Sequence, residues 1–361
     1  MSIKVHLRPD WFEAKERLLV DTGALQVFQF RYDSGVAALR LVNDLGEIIV
    51  LPYQGQQVWR ANFLGRDLTM QTHFDEPVAT QTYLQNYGAF FIHCGVTAMG
   101  APGPADTHPL HGELPNAPMQ AAHLLVDDEQ QSITVVSEYT HTVAFSTHYL
   151  ATATTVLRAG SGLIDISLQV ENRKRTPMDL MYLGHANFRA VDNGALHYTA
   201  PYTAEAVRVR QSIPAHITPL PGYAEFLAEL AVDPTPHHIL KPGLGFDPEV
   251  VFFIDFQADA EGWAHAVQRH PDGAGDYARF RPDQAANSVR WICRTPDKNA
   301  IAFVSPSTSG VEGYTAEKAA GRVVDVAGGD RWRIDMTMGA LSPAETAAQI
   351  AAIDRLMGRQ G

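Results

Sequence analysis

Between Leu163 and Asn172 the chain alternates strictly between apolar and polar side chains. A repeat of two residues is the pattern of a β-strand that buries one face and exposes the other, because successive side chains of a strand point in opposite directions. The segment therefore predicts a half-buried strand. Its apolar face consists of Ile164, Ile166, Leu168 and Val170.

Short segments of the same kind recur along the whole chain and are joined by turn-rich stretches. Many short strands with few intervening helices favour an antiparallel sandwich or barrel over repeated βαβ units. We therefore predict an all-β fold, a large β-sandwich with few short helices. The further predicted strands are Leu25–Tyr32, Val36–Leu41, Glu47–Leu51, Ser132–Thr140, Tyr149–Leu157, Ala206–Arg210 and Val250–Phe256.

Helical patterns are rare. One short helix is predicted over Asp10–Leu19, and a second near the C-terminus. In the second, Ser342 is the N-cap, Pro343 takes the first helical position and Glu345 follows three residues after the cap, which is the pattern of a capping box. The apolar side of this helix should dock on a sheet. That side consists of Ile350, Ile353 and Met357.

The 361 residues are expected to form a single domain, 1–361. Proline and glycine are frequent in the stretches Met99–Pro118 and Ile213–Gly245, but aromatic and aliphatic residues persist through both. We therefore interpret them as long ordered loops inside one domain and not as linkers between two.

The formal net charge of −12, without a cluster of lysines and arginines, argues against a nucleic-acid partner. No apolar segment is long enough for a membrane span, and the first residues lack the apolar stretch of a secretory signal, so we expect a cytoplasmic protein with no membrane partner. The two cysteines, Cys94 and Cys293, fit no redox or zinc motif and are expected to be buried free thiols.

Four histidines fall between positions 73 and 111, namely His73, His93, His108 and His111. Imidazole is the side chain best suited to exchanging protons near neutral pH. His111 is followed by Gly112 in a turn framed by prolines, and a rigid turn of this kind is a common position for a binding residue. The alternative interpretation is that these are ordinary polar residues of loops.

A second group of polar residues follows the apolar strand Met178–Leu183. His185, Asn187 and Arg189 come at its end and could face one cleft. A structural histidine with satisfied hydrogen bonds is the competing interpretation of His185.

Together these segments resemble the galactose mutarotase-like superfamily, the aldose 1-epimerases, and most closely a bacterial branch whose substrates are poorly assigned. The resemblance extends from about Gly46 to Pro343, and the order of the short motifs is its specific part. The motifs are Gly65-Arg66-Asp67-Leu68, Cys94-Gly95, His111-Gly112 and Gly184-His185-Ala186-Asn187-Phe188.

The resemblance implies a β-supersandwich that binds a monosaccharide and needs no cofactor. In mutarotation a carboxylate takes the proton of the anomeric hydroxyl while a histidine protonates the ring oxygen. By position, His185 resembles the histidine that serves the ring oxygen, and His111 resembles its neighbour that orients the sugar. The residues expected to bind the sugar's hydroxyls or a negatively charged substituent are Arg66, His73, Asn187, Arg189 and Trp291.

One position departs from the family pattern. The family's general base is a glutamate on a late strand, and the corresponding position before Pro306 is Ser305. A serine hydroxyl is not a base without help, so Glu249 or Glu312 would have to supply the carboxylate, or the chemistry differs. The alternatives are an exposed residue that opens a strand for Glu249 and a solvated loop charge for Glu312.

Three functions follow from these features. The first is a mutarotase or related sugar epimerase that uses side chains alone. The second is an isomerase or lyase acting on a keto-sugar, with a metal held by some of His73, His93, His108, His111 and His185. The third is a sugar-binding protein without catalysis. Aromatic residues expected to line the pocket are Trp59, Phe74, Tyr182, Phe188 and Trp291.

Overall fold

The computed structural model describes residues 2–213 and 218–359. Strands dominate this part of the chain. The first eleven are β1 Ser2–His6, β2 Arg17–Asp21, β3 Gln26–Arg31, β4 Ala37–Asn43, β5 Gly46–Val50, β6 Val58–Phe63, β7 Arg66–Asp67, β8 Phe91–Val96, β9 Ala121–Asp127, β10 Ser132–Val143 and β11 Thr147–Arg158. The remaining strands are β12 Leu163–Asn172, β13 Met178–Ala186, β14 Ala195–Tyr198, β15 Val207–Val209, β16 Val250–Ile254, β17 Ala264–Arg269, β18 Gly275–Phe280, β19 Asn287–Arg294, β20 Asn299–Ser307, β21 Val324–Val326 and β22 Arg331–Leu341.

Helices are short and few within the described residues. The α-helices are α1 Tyr223–Val232, α2 Tyr314–Ala319 and α3 Pro343–Leu356, and single 3-10 turns cover Pro9–Trp11, Tyr83–Asn86 and Thr235–His238. A search of the described helices finds none with the length and apolarity needed to cross a membrane.

The strands form two large antiparallel sheets. The first sheet has nine strands in the order β1-β9-β10-β11-β12-β22-β18-β17-β14. The second has thirteen strands, in the order β15-β16-β19-β20-β13-β8-β6-β5-β4-β3-β2, with β21 paired to β13 and β7 paired to β6. The predicted all-β sandwich is confirmed.

The main hydrophobic core lies between the two sheets and takes residues from both. The strand predicted over Leu163–Asn172 is confirmed as β12, and its apolar face is buried in this core. A second apolar cluster covers the other face of the thirteen-stranded sheet. Strands of this sheet therefore bury side chains on both faces, and the second face is where the site described below lies.

The C-terminal helix begins as predicted. The Ser342 hydroxyl accepts a hydrogen bond from the Glu345 amide, and the Glu345 carboxylate accepts one from the Ser342 amide at 2.8 Å. Ile353 is buried against the outer side of the nine-stranded sheet, with Ile350 and Met357 packed beside it. Both the capping box and the docking face are confirmed.

The predicted helix over Asp10–Leu19 is wrong. Only Pro9–Trp11 forms a 3-10 turn, and Arg17–Asp21 is a strand paired with Gln26–Arg31. The Arg31 guanidinium donates hydrogen bonds to the carbonyl oxygens of Pro9 and Phe12, at 2.6 and 3.0 Å. The sheet edge and this arginine thus offer the segment backbone partners that outweigh a weak helical preference.

The two long loops differ from each other. Residues 99–118 form no helix or strand, as predicted, and are held by backbone hydrogen bonds such as His111 N–H to Gly100 O at 3.1 Å. The stretch predicted as the loop Ile213–Gly245 contains the helix α1 and a 3-10 turn, which corrects that prediction, while residues 214–217 lie outside the described part.

Several histidines are buried in the fold. The His93 side chain is fully buried, and its Nδ1 lies 2.8 Å from the Tyr182 hydroxyl. Burial lowers the pKa of His93 to about 3 and that of His238 to about 3, with the charge of Arg290 adding to the effect at His238. These imidazoles are therefore neutral in the folded protein at neutral pH.

We expect the free energy of unfolding to fall as the pH is lowered from 6.5 to 5. The folded-state pKa of His93 lies well below its usual 6.5, so below pH 6.5 the unfolded chain binds a proton that the folded chain excludes. The contribution of the neutral histidine to the free energy of unfolding is complete above pH 6.5. It is lost as the pH falls, by about 1.4 kcal/mol per pH unit for each such histidine. Urea unfolding at a series of pH values measures this slope.

A matched pair of variants tests whether His93 causes the slope of the free energy of unfolding against pH. His93→Gln keeps a partner for the Tyr182 hydroxyl but does not titrate, so its slope should be shallower than that of the wild type by one histidine. Tyr182→Phe removes the hydrogen bond to His93 but leaves the imidazole buried, so it should keep the wild-type slope. A wild-type slope in His93→Gln would contradict the assignment.

Candidate functional site

A cavity lies on the face of the thirteen-stranded sheet that points away from the nine-stranded sheet. Its volume is about 210 Å³. A cavity of about 150 Å³ is enough to hold a benzene ring, so there is room for one monosaccharide ring. The strand residues that line it are Leu183, His185, Val251, Val289, Trp291 and Cys293.

Strand periodicity explains this wall. Leu183 and His185 are two residues apart on β13, and Val289, Trp291 and Cys293 are each two apart on β19. Residues two apart share a face, so each strand directs alternate side chains into the cavity. Residues between them, such as Ile292, belong to the core between the sheets.

His111 reaches the cavity from the loop of residues 99–118. Its backbone φ is 60° and that of Gly112 is 80°, so two successive residues are left-handed. A side chain on Gly112 would place a Cβ only 2.3 Å from the Ala98 carbonyl oxygen. The Gly95 amide also donates to the His111 carbonyl at 2.9 Å. The glycine is required for this tight approach, which fixes the position of His111.

The two predicted histidines converge. The ring centroids of His111 and His185 lie 5.8 Å apart, with the rings nearly perpendicular. Tyr83 lies 4.9 Å from the His111 ring, and Trp291 lies 5.4 Å from the His185 ring. Both imidazoles are thus held by aromatic contacts in the wall of one cavity.

The hydrogen bonds around His185 fix its tautomer. The Asn187 side-chain amide donates to the Ala89 carbonyl at 2.9 Å, so its Oδ1 faces the Tyr87 hydroxyl at 3.2 Å. An amide oxygen only accepts, and Tyr87 therefore gives its single proton to Asn187. The Tyr87 oxygen, 3.1 Å from His185 Nε2, must then accept. His185 carries its proton on Nε2.

The other nitrogen of His185 is a hydrogen-bond acceptor. Nδ1 is buried and has no hydrogen-bond partner among the described residues. Burial lowers the pKa of His185 to about 4, against the opposing hydrogen bond to Asn187 and with a small contribution from the charge of Lys298. At neutral pH this imidazole is neutral, so its Nδ1 can accept a hydrogen bond but has no proton to give.

Glu249 supplies a carboxylate to the cavity. It precedes β16, and its Oε2 accepts a hydrogen bond from the Trp291 indole at 2.6 Å. The Tyr223 hydroxyl donates to the Glu249 backbone carbonyl at 2.6 Å, which holds the start of the strand in place. The carboxylate therefore has a fixed position beside Trp291, and the interpretation as an exposed residue at a strand start does not hold.

Glu312 is already paired. Its two carboxylate oxygens each lie 2.7 Å from a nitrogen of the Arg210 guanidinium, and the Ser212 hydroxyl also donates to it at 3.1 Å. Arg210 lines the cavity, but Glu312 does not. Both oxygens of this carboxylate are occupied by Arg210 and the side chain lies outside the cavity, so the structure does not favour Glu312 as the base.

Three predicted sugar-binding residues lie elsewhere. Arg66 is bound to Asp276 at 2.8 Å and to the Gly275 carbonyl at 2.8 Å, and joins the two sheets. Arg189 pairs with Asp67 at 2.6 Å on the surface. His73 is exposed and does not line the cavity. The structure thus corrects these predictions, because the motif order does not reveal which face each side chain takes.

Asn187 and Ser305 lie close to the cavity but do not line it. Asn187 does not line the cavity but orients Tyr87 and, through it, His185. Ser305 lies on β20 directly opposite Val289 of β19, so it shares a face with that lining residue. Its hydroxyl is buried and has no partner among the described residues. The carboxylate comes from β16, two strands away from β20.

The remaining histidines do not join this group. His93 is buried against Tyr182 and Phe91 of the core between the sheets, and His108 contacts the Pro109 carbonyl at 2.8 Å. Across residues 2–213 and 218–359, no set of three or more histidine, cysteine, aspartate or glutamate side chains is arranged to hold a metal ion. Both cysteines are buried and free, as predicted.

Several lining residues were missed from the sequence. Tyr83 and Tyr87 come from a 3-10 turn, Arg210 follows β15, and Lys298 lies in the turn between β19 and β20. These residues lie far apart in the sequence, in turns and at strand ends, and the order of strands in the sheet brings them together. No periodic pattern in the sequence therefore marks them. Among the aromatic residues predicted for the pocket, Trp291 lines it, whereas Trp59 is fully buried and Tyr182 and Phe188 lie in the core between the sheets.

The tautomer assignment has a direct test. In the wild type, the ¹⁵N NMR spectrum of the imidazoles should show His185 protonated on Nε2. Tyr87→Phe removes the acceptor of that proton, so the Nδ1-protonated form of His185 should become populated. Tyr277→Phe changes a contact of His265 in the nine-stranded sheet and should leave the His185 signals unchanged. Protonation of Nδ1 in the wild type would contradict the assignment.

Comparisons with known proteins agree with this architecture. A protein from Klebsiella pneumoniae, provisionally described as an aldose 1-epimerase, superposes with a TM-score of 0.82 at 19% identity over 99% of this chain and 95% of its own. A galactose mutarotase-like protein from Clostridium acetobutylicum gives a TM-score of 0.60 at 12% identity, covering 88% and 99%.

A galactose 1-epimerase from Lactobacillus acidophilus superposes with a TM-score of 0.53 at 11% identity, over 91% of this chain and 99% of its own. At these identities the likeness shows the fold alone, and the predicted galactose mutarotase-like fold is confirmed. A search among curated proteins finds no match. The family match covers residues 33–340, and the chain therefore belongs to the family described as "Domain of unknown function (DUF4432)".

Proposed function

We propose that the protein is a sugar 1-epimerase, which interconverts the two anomers of a monosaccharide by opening and closing its ring. The observation that carries the proposal is that His111, His185 and Glu249 line one ring-sized cavity. Anomer exchange needs a base for the anomeric hydroxyl and an acid for the ring oxygen. A carboxylate and two imidazoles supply both within a single site.

Glu249 is the base in this proposal. Its carboxylate takes the proton from the anomeric hydroxyl as the bond between the anomeric carbon and the ring oxygen breaks. The electron pair of that bond moves to the ring oxygen, which receives a proton from an imidazolium. The resulting carbonyl turns, and the reverse steps close the ring on its other face, so both groups return to their starting protonation states.

His111 is the proton donor in this proposal, and His185 is an acceptor that orients the sugar. The division follows from the geometry at His185, whose Nε2 proton is bound to Tyr87 and whose Nδ1 holds a lone pair. A sugar hydroxyl donating to Nδ1 would satisfy this buried atom. The roles are thus exchanged relative to those that the family resemblance implies.

The wall of the cavity suits a sugar. The Trp291 ring, buried beside His185, presents an apolar surface, and its indole N–H is already bound to Glu249. Sugar rings stack their C–H faces on such aromatic surfaces while their hydroxyls bind polar groups around them. The same features would serve a sugar-binding protein without catalysis, and the test below separates the two.

Two matched substitutions test the base. Glu249→Gln keeps the hydrogen-bond geometry but cannot take a proton, so the rate of anomer exchange should fall by about 10² to 10⁴-fold. In Glu312→Gln the rate of anomer exchange should fall by less than about tenfold, because Glu312 lies outside the cavity. The rate is measured by two-dimensional NMR exchange between anomeric signals over a panel of neutral and acidic aldoses and ketoses.

The outcomes separate the candidate functions. An equal loss in both variants, or a larger loss in Glu312→Gln, would contradict the assignment of the base. Tight binding of a sugar without accelerated exchange would select a binding protein. Acceleration that is lost on dialysis against a chelator and restored by a divalent metal would select the metal-assisted alternative.

A further inference from the structure

The lysine in the cavity wall, Lys298, has no counter-ion in the part of the chain that the structure describes. Lys298 is half-buried in the turn between β19 and β20, and its ammonium nitrogen lies 4.6 Å from the centre of the Tyr87 ring. No carboxylate oxygen among residues 2–213 and 218–359 lies within 4.0 Å of it, and it makes no hydrogen bond to them. Removing an ammonium from water without a partner is unfavourable.

The surroundings of Lys298 add to this cost. Burial lowers the pKa of its ammonium, and the nearby Cys293 and Glu249 offset only part of the effect. The Tyr87 ring gives a weak cation–π contact, which does not replace the lost hydration. A charged group kept in such a place within a cleft is a common feature of functional sites.

Arg210 provides an internal comparison. It is the other basic residue that lines the cavity, and its guanidinium is satisfied by two hydrogen bonds to Glu312. The charge of Arg210 is already balanced by Glu312, so an anionic ligand would gain less from it. Lys298, in contrast, has all three ammonium hydrogens available to a ligand.

We propose that Lys298 binds a carboxylate of the substrate, so the natural ligand is a sugar acid and not a neutral sugar. The inference rests on the proposed function, since it names the substrate class of the same cavity. The carboxylate would restore the counter-ion that Lys298 lacks and would accept charge-assisted hydrogen bonds from its ammonium. Glu249 would act on the anomeric hydroxyl of the same molecule.

A carboxylate fits the site better than a phosphate. A carboxylate carries one negative charge, which one ammonium balances, whereas a phosphate carries nearly two and is usually bound by several cations or backbone amides together. The cavity offers one cation without a partner, and the carboxylate of Glu249 nearby would oppose any further negative charge.

The first experiment compares substrates on the wild-type protein. Anomer exchange is measured with D-glucuronate and D-galacturonate and with the neutral sugars D-glucose and D-galactose, together with glucose 6-phosphate. We expect kcat/KM for at least one uronate to exceed that for its neutral counterpart by about tenfold or more. Equal or faster exchange of the neutral sugar, or a preference for the phosphate, would overturn the inference and leave the proposed function intact.

Substitutions then test whether Lys298 causes the preference for uronates over neutral sugars. Lys298→Met keeps the length and apolar stem but removes the charge, so the ratio of uronate to neutral kcat/KM should fall towards one, with the change mainly in KM. Lys298→Arg should retain a ratio above one. Lys4 is exposed on β1, and Lys4→Met should keep the wild-type ratio. An unchanged ratio in Lys298→Met would overturn the inference.

A binding measurement separates the two proposals if no sugar is exchanged. Titration calorimetry with the same uronates and neutral sugars does not depend on catalysis. Uronate binding that weakens about tenfold in Lys298→Met, with neutral sugars binding less tightly to the wild type, supports the carboxylate site although the epimerase proposal fails. No binding of any uronate overturns both.

Discussion

The candidate site depends on the alternation of side chains along strands of the thirteen-stranded sheet. On β13, His185 faces the cavity while Tyr182 and Ala186 face the core between the sheets. On β19, Trp291 faces the cavity while Ile292 faces that core. A shift of one residue in either strand would place imidazole or indole in the core and apolar residues in the cavity. The packing of the core thus fixes the register of the site.

The charge and the orientation of each polar group in the cavity are set by its hydrogen-bond partners and its burial. Burial keeps His185 neutral and Tyr87 fixes its tautomer, Trp291 holds the Glu249 carboxylate, and Glu312 pairs with Arg210. Lys298 remains as a cation without a partner among the described residues. Each of these states results from hydrogen bonding or burial, so the polar groups are already in place before a ligand binds.

The sequence predicted the features that depend on local pattern. Alternation gave β12 and its buried face, and the capping box gave the start of α3. His111 and His185 were also singled out correctly as residues that meet, through the order of motifs. The segment Asp10–Leu19 was misread because its strand pairing with β3 is stronger than its helical preference.

Features that depend on long-range pairing were not predictable. Nothing near Arg66 in the sequence indicates that it forms an ion pair with Asp276, 210 residues later. Glu249 and Glu312 are equivalent in the sequence, and only Arg210 distinguishes them by pairing with one. Lys298 has no motif at all, and it enters the cavity because the turn between β19 and β20 lies beside Tyr87.

The most direct test of the account is a crystal structure of the protein soaked with a monosaccharide. We expect the sugar ring in the cavity beside His111 and His185, with a sugar hydroxyl within hydrogen-bond distance of His185 Nδ1 and the anomeric oxygen within reach of the Glu249 carboxylate. A sugar bound on the nine-stranded sheet, or one in the cavity with its anomeric carbon turned away from Glu249, would contradict it.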